Sequence, residues 1–454
     1  MKHIREPGEA INKGHFTPGQ SVYVSGNAAT PVRLLNALAD DEEITGITLY
    51  GLLLLGEVGE LFSAETSARI THRVLFNSVH TREAVNSGRA QYQPMHLSDI
   101  PRQLRTHIPV DHVLLTVAGP DNGGNYSLGT TVEGLLAAIE TVKRRGGLVI
   151  AERNDKMPFV LGTTIPERTI DYLLETDAEL PVAPVKKPDG DAEKIGRLIA
   201  ELYIHNGCTL QFGLGEVPEA VTGAVLEKRV RNLGIHTELF SDAMRTLVRE
   251  GFVNNRFTYN RITFSIATIF LSSTAEGYRW LHMNSSVQSR PSDFTNDILR
   301  MARQPNFVAV NSAIGVDLHG NVWADSLDAR RVYSGVGGQA DFLRGSYLSP
   351  GGTPIIALKS RTGKGIGKIL ERSPEGITTT AIAADPVVLV TEHGAFDPRG
   401  LSITERAVGI AHLAGPAARD PLLKYIYDSG NFHRPAKALS ETSPKGFKAF
   451  SDVF

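Results

Sequence analysis

The chain has 454 residues, of which 41% are hydrophobic and 21% charged, a composition typical of a soluble globular protein with two or more α/β domains. Its formal net charge of -2 gives no electrostatic reason to expect a nucleic acid or an anionic membrane as a partner. We find no secretory signal and no apolar run of membrane-spanning length, so the expected compartment is the cytoplasm. The single cysteine, Cys208, excludes an intrachain disulfide and a cysteine-rich zinc site.

The N-terminal half predicts a parallel sheet with helices between its strands. Residues 21–25 form a β-rich run, and DHVLLTVAG (111–119) is a continuous apolar strand. Residues 130–145 predict an amphipathic helix that ends at Gly146, and GLVIAERN (147–154) is the next strand. Strand, helix and strand at this spacing are typical of parallel sheets.

A linker separates two halves of the chain. Residues 180–192, LPVAPVKKPDGDA, contain three prolines and a glycine without periodicity. We therefore predict two α/β domains, residues 1–184 and residues 185–454. The second half predicts helices at 193–205, 218–228, 242–249 and 402–413, and strands at 209–212, 233–236, 262–270, 307–314, 354–358 and 386–390.

The two halves also repeat each other. Gly26 and Pro31 in SVYVSGNAATPV have the spacing of Gly213 and Pro218 in TLQFGLGEVPEAV. The segments VAGPDNGGN and AIGVDLHGN share an Asp-x-x-Gly-Asn pattern, and GLVIAERN resembles TPIIALKS. Three matches in the same order, about 190 residues apart, predict an internal duplication of an α/β domain. Such an organisation favours a ligand site where the two halves meet.

Two glycine clusters are candidates for anion binding. In the loop 213–217, backbone amides ahead of a helix that Pro218 would open could face an anion or an oxyanion. An ordinary strand-to-helix turn would explain the same pattern. The cluster SGVGGQ (334–339) has three glycines in four positions, which indicates a close approach of backbone to a ligand or a tight crossing in the core. Next to it, Asp341 and Arg344 are expected to pair on one helix face, in a structural role.

Glu238 follows the strand at 233–236 and so falls at the carboxyl end of a parallel strand, where α/β proteins bind ligands. A capping or exposed glutamate is the alternative interpretation. We expect His236 to be packed rather than catalytic. Because no Ser-His-Asp or metal-ligand spacing is recognisable, covalent chemistry on a carboxylate is the natural candidate.

The chain resembles the acetyl-CoA hydrolase/transferase family of class I coenzyme A transferases. The resemblance covers nearly the whole chain through GNAATPVRLLNAL, AERNDKMPFVLG, LQFGLGEVPEAV, LGIHTELFSDA, NSAIGVDLHGNV, SGVGGQADFLRG and LVTEHGAFDPRGLSITERA. It implies two related open α/β domains that arose by duplication, with the active site between them.

The resemblance also implies roles for individual residues. Glu238 corresponds to the family's nucleophile, which forms an acyl-glutamyl anhydride and then a glutamyl-CoA thioester. No metal and no tightly bound cofactor are implied, since coenzyme A enters as a thioester substrate. The positions that match coenzyme A contacts in the family are Gly213, Leu214, Gly215, Glu216, Val217, Ser334, Gly338 and Lys364, with Gly363 as the alternative to Lys364.

Substrate identity stays open at this point. Relatives in the family act on acetate, butyrate, 4-hydroxybutyrate or dicarboxylates such as succinate and itaconate, and they are commonly homodimers or higher homo-oligomers. Many have Glu or Gln where this chain has Gly315, which predicts a roomier or differently polar pocket. An acyl-CoA hydrolase that uses the same glutamate is the first alternative to a transferase. A non-catalytic ligand sensor on the same scaffold is the second.

Overall fold

The computed structural model describes residues 1–433 and 444–454. It consists of two mostly parallel β-sheets with helices packed against them. The helices are α1 (Val32–Asp40), α2 (Ala64–Arg69), α3 (Val79–Asn86), α4 (Ile100–Thr106), α5 (Leu135–Arg145), α6 (Gly190–Tyr203), α7 (Glu216–Lys228), α8 (Asp242–Arg249), α9 (Ala275–Leu281), α10 (Ser292–Thr295), α11 (Ile298–Met301), α12 (Gln339–Leu348), α13 (Ile403–His412), α14 (Pro416–Asp428) and α15 (Phe450–Val453). Among the described residues, no helix combines the length and apolar character needed to cross a membrane.

The N-terminal half builds an eight-stranded sheet in the order β1-β10-β8-β6-β2-β3-β4-β5. Its neighbouring strands pair in parallel. Every residue of the central strand HVLLTV is buried, as expected for a parallel strand covered by helices on both faces. The strands of this half are β1 (Lys2–Ile4), β2 (Ser21–Val24), β3 (Ile47–Leu52), β4 (Ile70–Phe76), β5 (Gln91–Tyr92), β6 (His112–Val117), β7 (Asn125–Ser127), β8 (Leu148–Asn154), β9 (Thr164–Pro166) and β10 (Tyr172–Thr176).

The C-terminal half builds a seven-stranded sheet and several small ones. Its strands are β11 (Thr209–Phe212), β12 (Gly234–Ile235), β13 (Leu239–Phe240), β14 (Ser265–Ala267), β15 (Ile269–Phe270), β16 (Val287–Ser289), β17 (Phe307–Ser312), β18 (Gly315–Asp317), β19 (Val322–Trp323), β20 (Ser326–Asp328), β21 (Arg331–Val332), β22 (Thr353–Ala357), β23 (Ile369–Leu370), β24 (Val388–Thr391), β25 (Gly394–Phe396) and β26 (Phe447–Ala449). The large sheet has the order β12-β11-β17-β22-β24-β25-β26, and only β25 and β26 run antiparallel to their neighbours.

The strand order confirms the predicted duplication. The strands that the sequence repeat matches, β2, β6 and β8 in the first half and β11, β17 and β22 in the second, lie in the same spatial order in the two sheets. The next strand in each sheet extends the match, since β3 lies beside β2 and β12 lies beside β11. Glu238 therefore follows the counterpart of β3.

The repeated Asp-x-x-Gly-Asn pattern forms the same turn twice. The Asp121 carboxylate accepts the amide of Asn125 at 2.8 Å, and the Asp317 carboxylate accepts the amide of Asn321 at 2.9 Å. In each turn the glycine before the asparagine has a positive φ, 74° and 89°, and its amide donates to the aspartate carbonyl. The pattern is therefore an Asx turn that each half uses at an equivalent place.

Several predicted boundaries differ from the structure. Helix α5 ends at Gly146, which has a φ of 75° as a C-cap, but it starts at Leu135 because residues 130–134 form a loop bonded to the other half. The linker is three residues shorter than predicted, since Asp189 caps α6, which begins at Gly190. The predicted strand 262–270 is divided into β14 and β15 at Thr268.

The two halves share one hydrophobic core. A continuous cluster of buried side chains joins Val132 and Leu135 of the first half to Ile269 and Phe270 of the second. The loop that replaces the start of the predicted helix lies at this junction, because the amide of Phe270 donates to the carbonyl of Thr130 at 2.8 Å. The interface between the halves is therefore packed as a protein interior rather than as a loose domain contact.

Candidate active site

The backbone around Glu238 is fixed by strand-like hydrogen bonds. Glu238 lies between β12 and β13, and its carbonyl accepts the amides of Thr268 at 3.1 Å and Ile269 at 2.9 Å. The preceding residue, Thr237, is buried, and its amide donates to Ile266 at 3.0 Å. Glu238 is thus held on a rigid segment at the end of a parallel strand, as the sequence predicted.

The Glu238 carboxylate points at two hydrogen-bond donors. Its Oε2 atom accepts from Asn296 Nδ2 at 2.8 Å, and the backbone amide of Gly338 lowers the pKa of the same carboxylate. A β-carbon at position 338 would lie 1.9 Å from Glu238 Oε2 and 2.1 Å from Asn296 Nδ2. A larger residue here would displace the Glu238 carboxylate or the Asn296 amide. Of the two alternatives for the second glycine cluster, the structure shows tight packing, here against Glu238 and Asn296.

Two carboxyl groups of the site have raised pKa values. Burial raises the pKa of Glu238 to about 7, the negative charge of Asp341 adds to the rise, and the bonds from Asn296 and Gly338 oppose it. Burial likewise raises the pKa of Asp341 to about 6. Carboxyl groups whose pKa is shifted by burial and by a neighbouring charge are typical of active sites.

The predicted pairing of Asp341 with Arg344 is wrong. Asp341 is buried and its carboxylate accepts the hydroxyl of Ser98 at 2.9 Å and the amide of Ser98 at 3.3 Å. The guanidinium of Arg344 lies 5.7 Å from the ring of Tyr347 instead. Tertiary contact with the N-terminal half has overridden the local helix spacing, which is only a weak preference.

The N-terminal half encloses the second glycine cluster. The side chain of Asn77 donates to the Ser334 carbonyl at 2.9 Å. The ring of Phe76 packs against Gly335 and Gly337, where a β-carbon would lie 2.7 Å and 3.3 Å from it. Gly337 also has a φ of 56°, which disfavours a larger residue. Glu238 and its donors therefore lie where the two halves meet.

The first glycine loop, 213–217, follows β11, which is bonded to the residue before Glu238. It starts at Phe212, whose carbonyl accepts the Thr237 hydroxyl at 3.4 Å, and no atom lies within 4 Å of a β-carbon built on Gly213 or Gly215. Leu214 is 39% exposed. The loop thus has room for a ligand beside it, although α7 begins at Glu216, so Pro218 is not its first residue.

Glu216 and Val217 are less available than the rest of this loop. The Glu216 carboxylate forms an ion pair with Lys359 Nζ, which also lies 2.7 Å from Asp189 Oδ2. Val217 is buried. Lys359 therefore joins the glycine loop to the residue that caps α6.

A cleft of about 620 Å³ passes close to the second glycine cluster. Its lining combines apolar and polar side chains, among them Trp323, Tyr333, Ser334, Thr362 and Lys368. Lys364 and Gly363 are exposed and lie in the same turn as Thr362. The structure thus brings Ser334, Gly338 and Glu238 into one region and leaves Lys364 at the rim of the cleft.

The expected extra room at Gly315 is not present. A β-carbon at this position would lie 2.2 Å from the indole ring of Trp323. The indole occupies the space that a side chain at position 315 would take, and it lines the cleft. The cleft beside Gly315 is therefore not roomier, and its wall there is apolar.

His236 is packed, as predicted. It is 1% exposed, its Nε2 atom lies 2.7 Å from the carbonyl of Thr295, and its ring contacts Phe307 and Phe342. Burial lowers the pKa of His236 to about 4. The ring is neutral at physiological pH and supports the helix that precedes Asn296.

Sequence reasoning missed Asn296. It follows α10, a helix of four residues, and no glycine cluster, charge pattern or repeat marks it in the sequence. Its side chain reaches both Glu238 Oε2 and, at 3.4 Å, Asp341 Oδ2. Only the tertiary fold brings together residues from three distant segments.

Comparison with known proteins agrees with this site. Residues 1–186 match the acetyl-CoA hydrolase/transferase N-terminal domain, and residues 274–426 match the acetyl-CoA hydrolase/transferase C-terminal domain. The chain is 36% identical to 4-hydroxybutyrate coenzyme A transferase of Clostridium kluyveri, over 87% of this chain and 90% of that protein. A more distant relative, acetyl-CoA hydrolase of Neurospora crassa, is 24% identical over 99% of this chain and 93% of the relative.

A solved structure has the same fold. RipA from Yersinia pestis aligns with a TM-score of 0.86 and 30% identity, over 94% of this chain and 98% of that one. Two related parallel sheets with a carboxylate at their junction define an enzyme of the coenzyme A transferase fold. Within that class, the chain belongs to the acetyl-CoA hydrolase/transferase family.

Proposed function

We propose that this protein is a coenzyme A transferase that moves coenzyme A from an acyl-CoA to a small carboxylate through a glutamyl-CoA thioester on Glu238. The observation that carries the proposal is the geometry of Glu238. Its carboxylate is fixed between the Asn296 side chain and the Gly338 amide, at the junction of two duplicated sheets. A carboxylate nucleophile suits the exchange of one thioester for another, because the intermediates differ little in reactivity from the substrates.

The reaction proceeds by acyl exchange without a net proton change. A Glu238 oxygen attacks the thioester carbonyl, and the C–S bond breaks to give an acyl-glutamyl anhydride and the coenzyme A thiolate. The thiolate attacks the glutamyl carbonyl, and the donor acid leaves as a carboxylate. The acceptor carboxylate then attacks the glutamyl thioester, and the released thiolate attacks the acyl carbon of the new anhydride to regenerate Glu238.

Two of the four attacks create an oxyanion on the glutamyl carbon, and the two donors at Glu238 are suitable for stabilising it. Asn296 Nδ2 lies 2.8 Å from Glu238 Oε2, and the Gly338 amide acts on the same carboxylate. A preorganised donor of this kind contributes on the order of 3 kcal/mol to the transition state. The narrow fit of Gly338 supports this role, because the amide approaches Glu238 where any side chain would prevent it.

The cleft beside Ser334 is the proposed coenzyme A site. We propose that its pantetheine arm follows the walls formed by Trp323, Tyr333 and Ser334 toward Gly338. The amides of Gly213, Leu214 and Gly215 would also contact the ligand, and Lys364 would meet its phosphates at the rim. Glu216 and Val217 support the loop, since one is paired with Lys359 and the other is buried.

The relatives narrow the substrates to a class. The proposed donors are acetyl-, butyryl- or succinyl-CoA, and the proposed acceptors are acetate, butyrate, 4-hydroxybutyrate or a dicarboxylate such as itaconate. The apolar wall of Trp323 beside Gly315 is the feature through which this chain differs from many members of the family. A homodimer or higher homo-oligomer and a cytoplasmic location stay predictions.

Steady-state kinetics with a panel of acceptor acids test the proposal. We expect thioester consumption to depend on the acceptor and double-reciprocal plots to be parallel, as for a covalent intermediate. Free thiol released at the full rate without an acceptor acid would identify a hydrolase instead, the activity that the name of the Neurospora crassa relative gives. A protein that binds acyl-CoA without either reaction would be a ligand sensor.

A further inference from the structure

Glu133 is a buried residue whose carboxyl group has no role in the reaction steps proposed above. It is 0% exposed, and its φ of 31° lies in a region that glutamate rarely adopts. A residue keeps such a conformation only where its surroundings fix it, and strain of this kind clusters at functional sites. The contacts of Glu133 show what it is fixed to.

The backbone of Glu133 is bonded to one residue that contacts Glu238 and to one that contacts Asn296. Its amide donates to Thr268 Oγ1 at 2.9 Å, and the amide of Thr268 donates to the Glu238 carbonyl at 3.1 Å. Its carbonyl accepts the amide of Ser292 at 3.1 Å, and the Ser292 carbonyl accepts the amide of Asn296 at 2.9 Å. Glu133 therefore holds the nucleophile's segment and the helix before Asn296 at the same time.

The side chain of Glu133 has no cationic partner among its contacts. Its Oε2 atom accepts the Tyr23 hydroxyl from β2 at 3.3 Å, and its carboxyl group lies against the backbone of Gly26. The titratable groups that face it are Tyr23 and Glu238, and Asp341 faces Glu238 from α12. Burial raises the pKa of Glu133 to about 8, with a further rise from Glu238, and burial raises the pKa of Tyr23 well above its ordinary value.

We propose that Glu133 is a positioning residue for Glu238 and performs this role only as an uncharged carboxylic acid. The inference rests on the proposed function of Glu238. An ionised Glu133 would place a second negative charge near a nucleophile that must itself be ionised, and it would oppose the oxyanions that form there. The activity should therefore rise with pH as Glu238 ionises and fall again as Glu133 ionises. The two apparent pKa values of this profile belong to the pair of carboxyl groups and not to either residue alone.

The pH dependence of kcat/KM for the acyl-CoA donor tests this role. Glu133→Gln keeps the shape and removes the ionisation, so we expect it to abolish the alkaline fall in kcat/KM. Tyr23→Phe removes a hydrogen bond that favours the charged form, so it should move the alkaline fall to higher pH. A purely structural residue would change the rate evenly at all pH values.

A second measurement does not depend on catalysis. Because the folded protein disfavours an ionised Glu133, Glu133→Gln should raise the melting temperature more near pH 9 than near pH 5. An alkaline fall that persists unchanged in Glu133→Gln, or a melting difference independent of pH, would overturn the proposal. A wild-type enzyme without acceptor-dependent transfer would instead overturn the proposed function, and the melting experiment would still decide the charge of Glu133.

Discussion

Glu238 has the position of the proposed nucleophile, and its environment disfavours the ionised form of its carboxyl group. Its environment raises the pKa to about 7 through burial and through Asp341, while Asn296 and Gly338 partly offset the rise. The same donors that favour the charged form before reaction are placed for the oxyanions that follow. The raised pKa of Glu238, the proposed nucleophile, means that the folded protein disfavours its ionised form.

The raised pKa of Glu238 predicts how the stability of the protein depends on pH. The pKa of Glu238 is higher in the folded protein than in the unfolded chain, so its contribution to stability is present at low pH and is lost as the pH rises from about 4.5 to about 7. Glu238→Gln should therefore raise the melting temperature at pH values above this window and have a smaller effect below it. Differential scanning calorimetry measures the effect on the melting temperature above and below this pH window.

Glu227→Gln, at an exposed position of α7, is the control for that measurement. We expect its effect to be small at every pH, because surface charges contribute little. A Glu238→Gln variant that is as stable as the wild type at alkaline pH would contradict the assigned environment of Glu238.

At the scale of single residues, the sequence predicted Glu238 but not its partners. A residue at the carboxyl end of a parallel strand can be inferred from local patterns and from a family resemblance. Asn296 and Asp341 reach Glu238 from segments far along the chain, and neither has a local pattern that points to it. Asp341 was even assigned the wrong partner, because helix spacing cannot reveal a contact with Ser98.

Among the structural elements, the second glycine cluster has the least room for a larger residue. Gly338→Ala would drive its β-carbon into Glu238 and Asn296, so the carboxylate or its donor must move. Because removal of one oxyanion donor typically costs a hundredfold or more, we expect kcat to fall by roughly that factor. Initial rates at saturating acyl-CoA, with a melting curve to confirm folding, check the result.

The matched control is Gly223→Ala in α7. No atom lies within 4 Å of a β-carbon at this position, and alanine suits a helix better than glycine. Activity should stay at the wild-type level. Equal activity of Gly338→Ala and Gly223→Ala would show that the close approach of Gly338 to Glu238 has no catalytic role.

The rim of the cleft gives a separate prediction. Lys364→Gln removes an exposed positive charge beside the proposed coenzyme A site, so we expect KM for acyl-CoA to rise several-fold with little change in kcat. The difference should shrink at high salt, as for other exposed charges. Gly363→Ala is the control, since a β-carbon there meets nothing within 4 Å. A larger effect of Gly363→Ala would assign the contact to position 363.

The predicted bounds of helices and strands were wrong mainly where the two halves are in contact. The helix predicted at 130–145 loses its first turn because residues 130–133 bond to the strands after Glu238. The strand predicted at 262–270 is interrupted at Thr268, whose amide bonds to the Glu238 carbonyl. Local patterns describe a chain in isolation, and these segments are shaped by contacts between the halves.

For the whole molecule, the duplication explains where the site lies. Two sheets with the same strand order are joined by a shared core, and Glu238 lies in the region where they meet. The repeat in the sequence was sufficient to predict this arrangement. The depth of the interface was not predictable, because no sequence pattern shows which buried residues of one half contact the other.

The boundary between residues 184 and 185 stays a prediction that proteolysis can test. Lys186 is exposed in a segment without helix or strand, and Lys187 precedes Pro188, which protects it from trypsin. We expect limited trypsin digestion to cut after Lys186 and the two fragments to stay together in gel filtration, because they share a core. Lys186→Gln should prevent this cut, whereas fragments that separate would contradict the shared core.

The central claim is that Glu238 carries coenzyme A during the reaction, and chemical trapping tests it most directly. Acyl-CoA should convert Glu238 to its thioester, which borohydride reduces to a primary alcohol that peptide mass spectrometry can locate. The account predicts this modification at Glu238 and its absence in Glu238→Gln, with acyl-CoA binding largely retained. An unmodified Glu238 in an enzyme that turns over acyl-CoA, or a label on another residue, would contradict it.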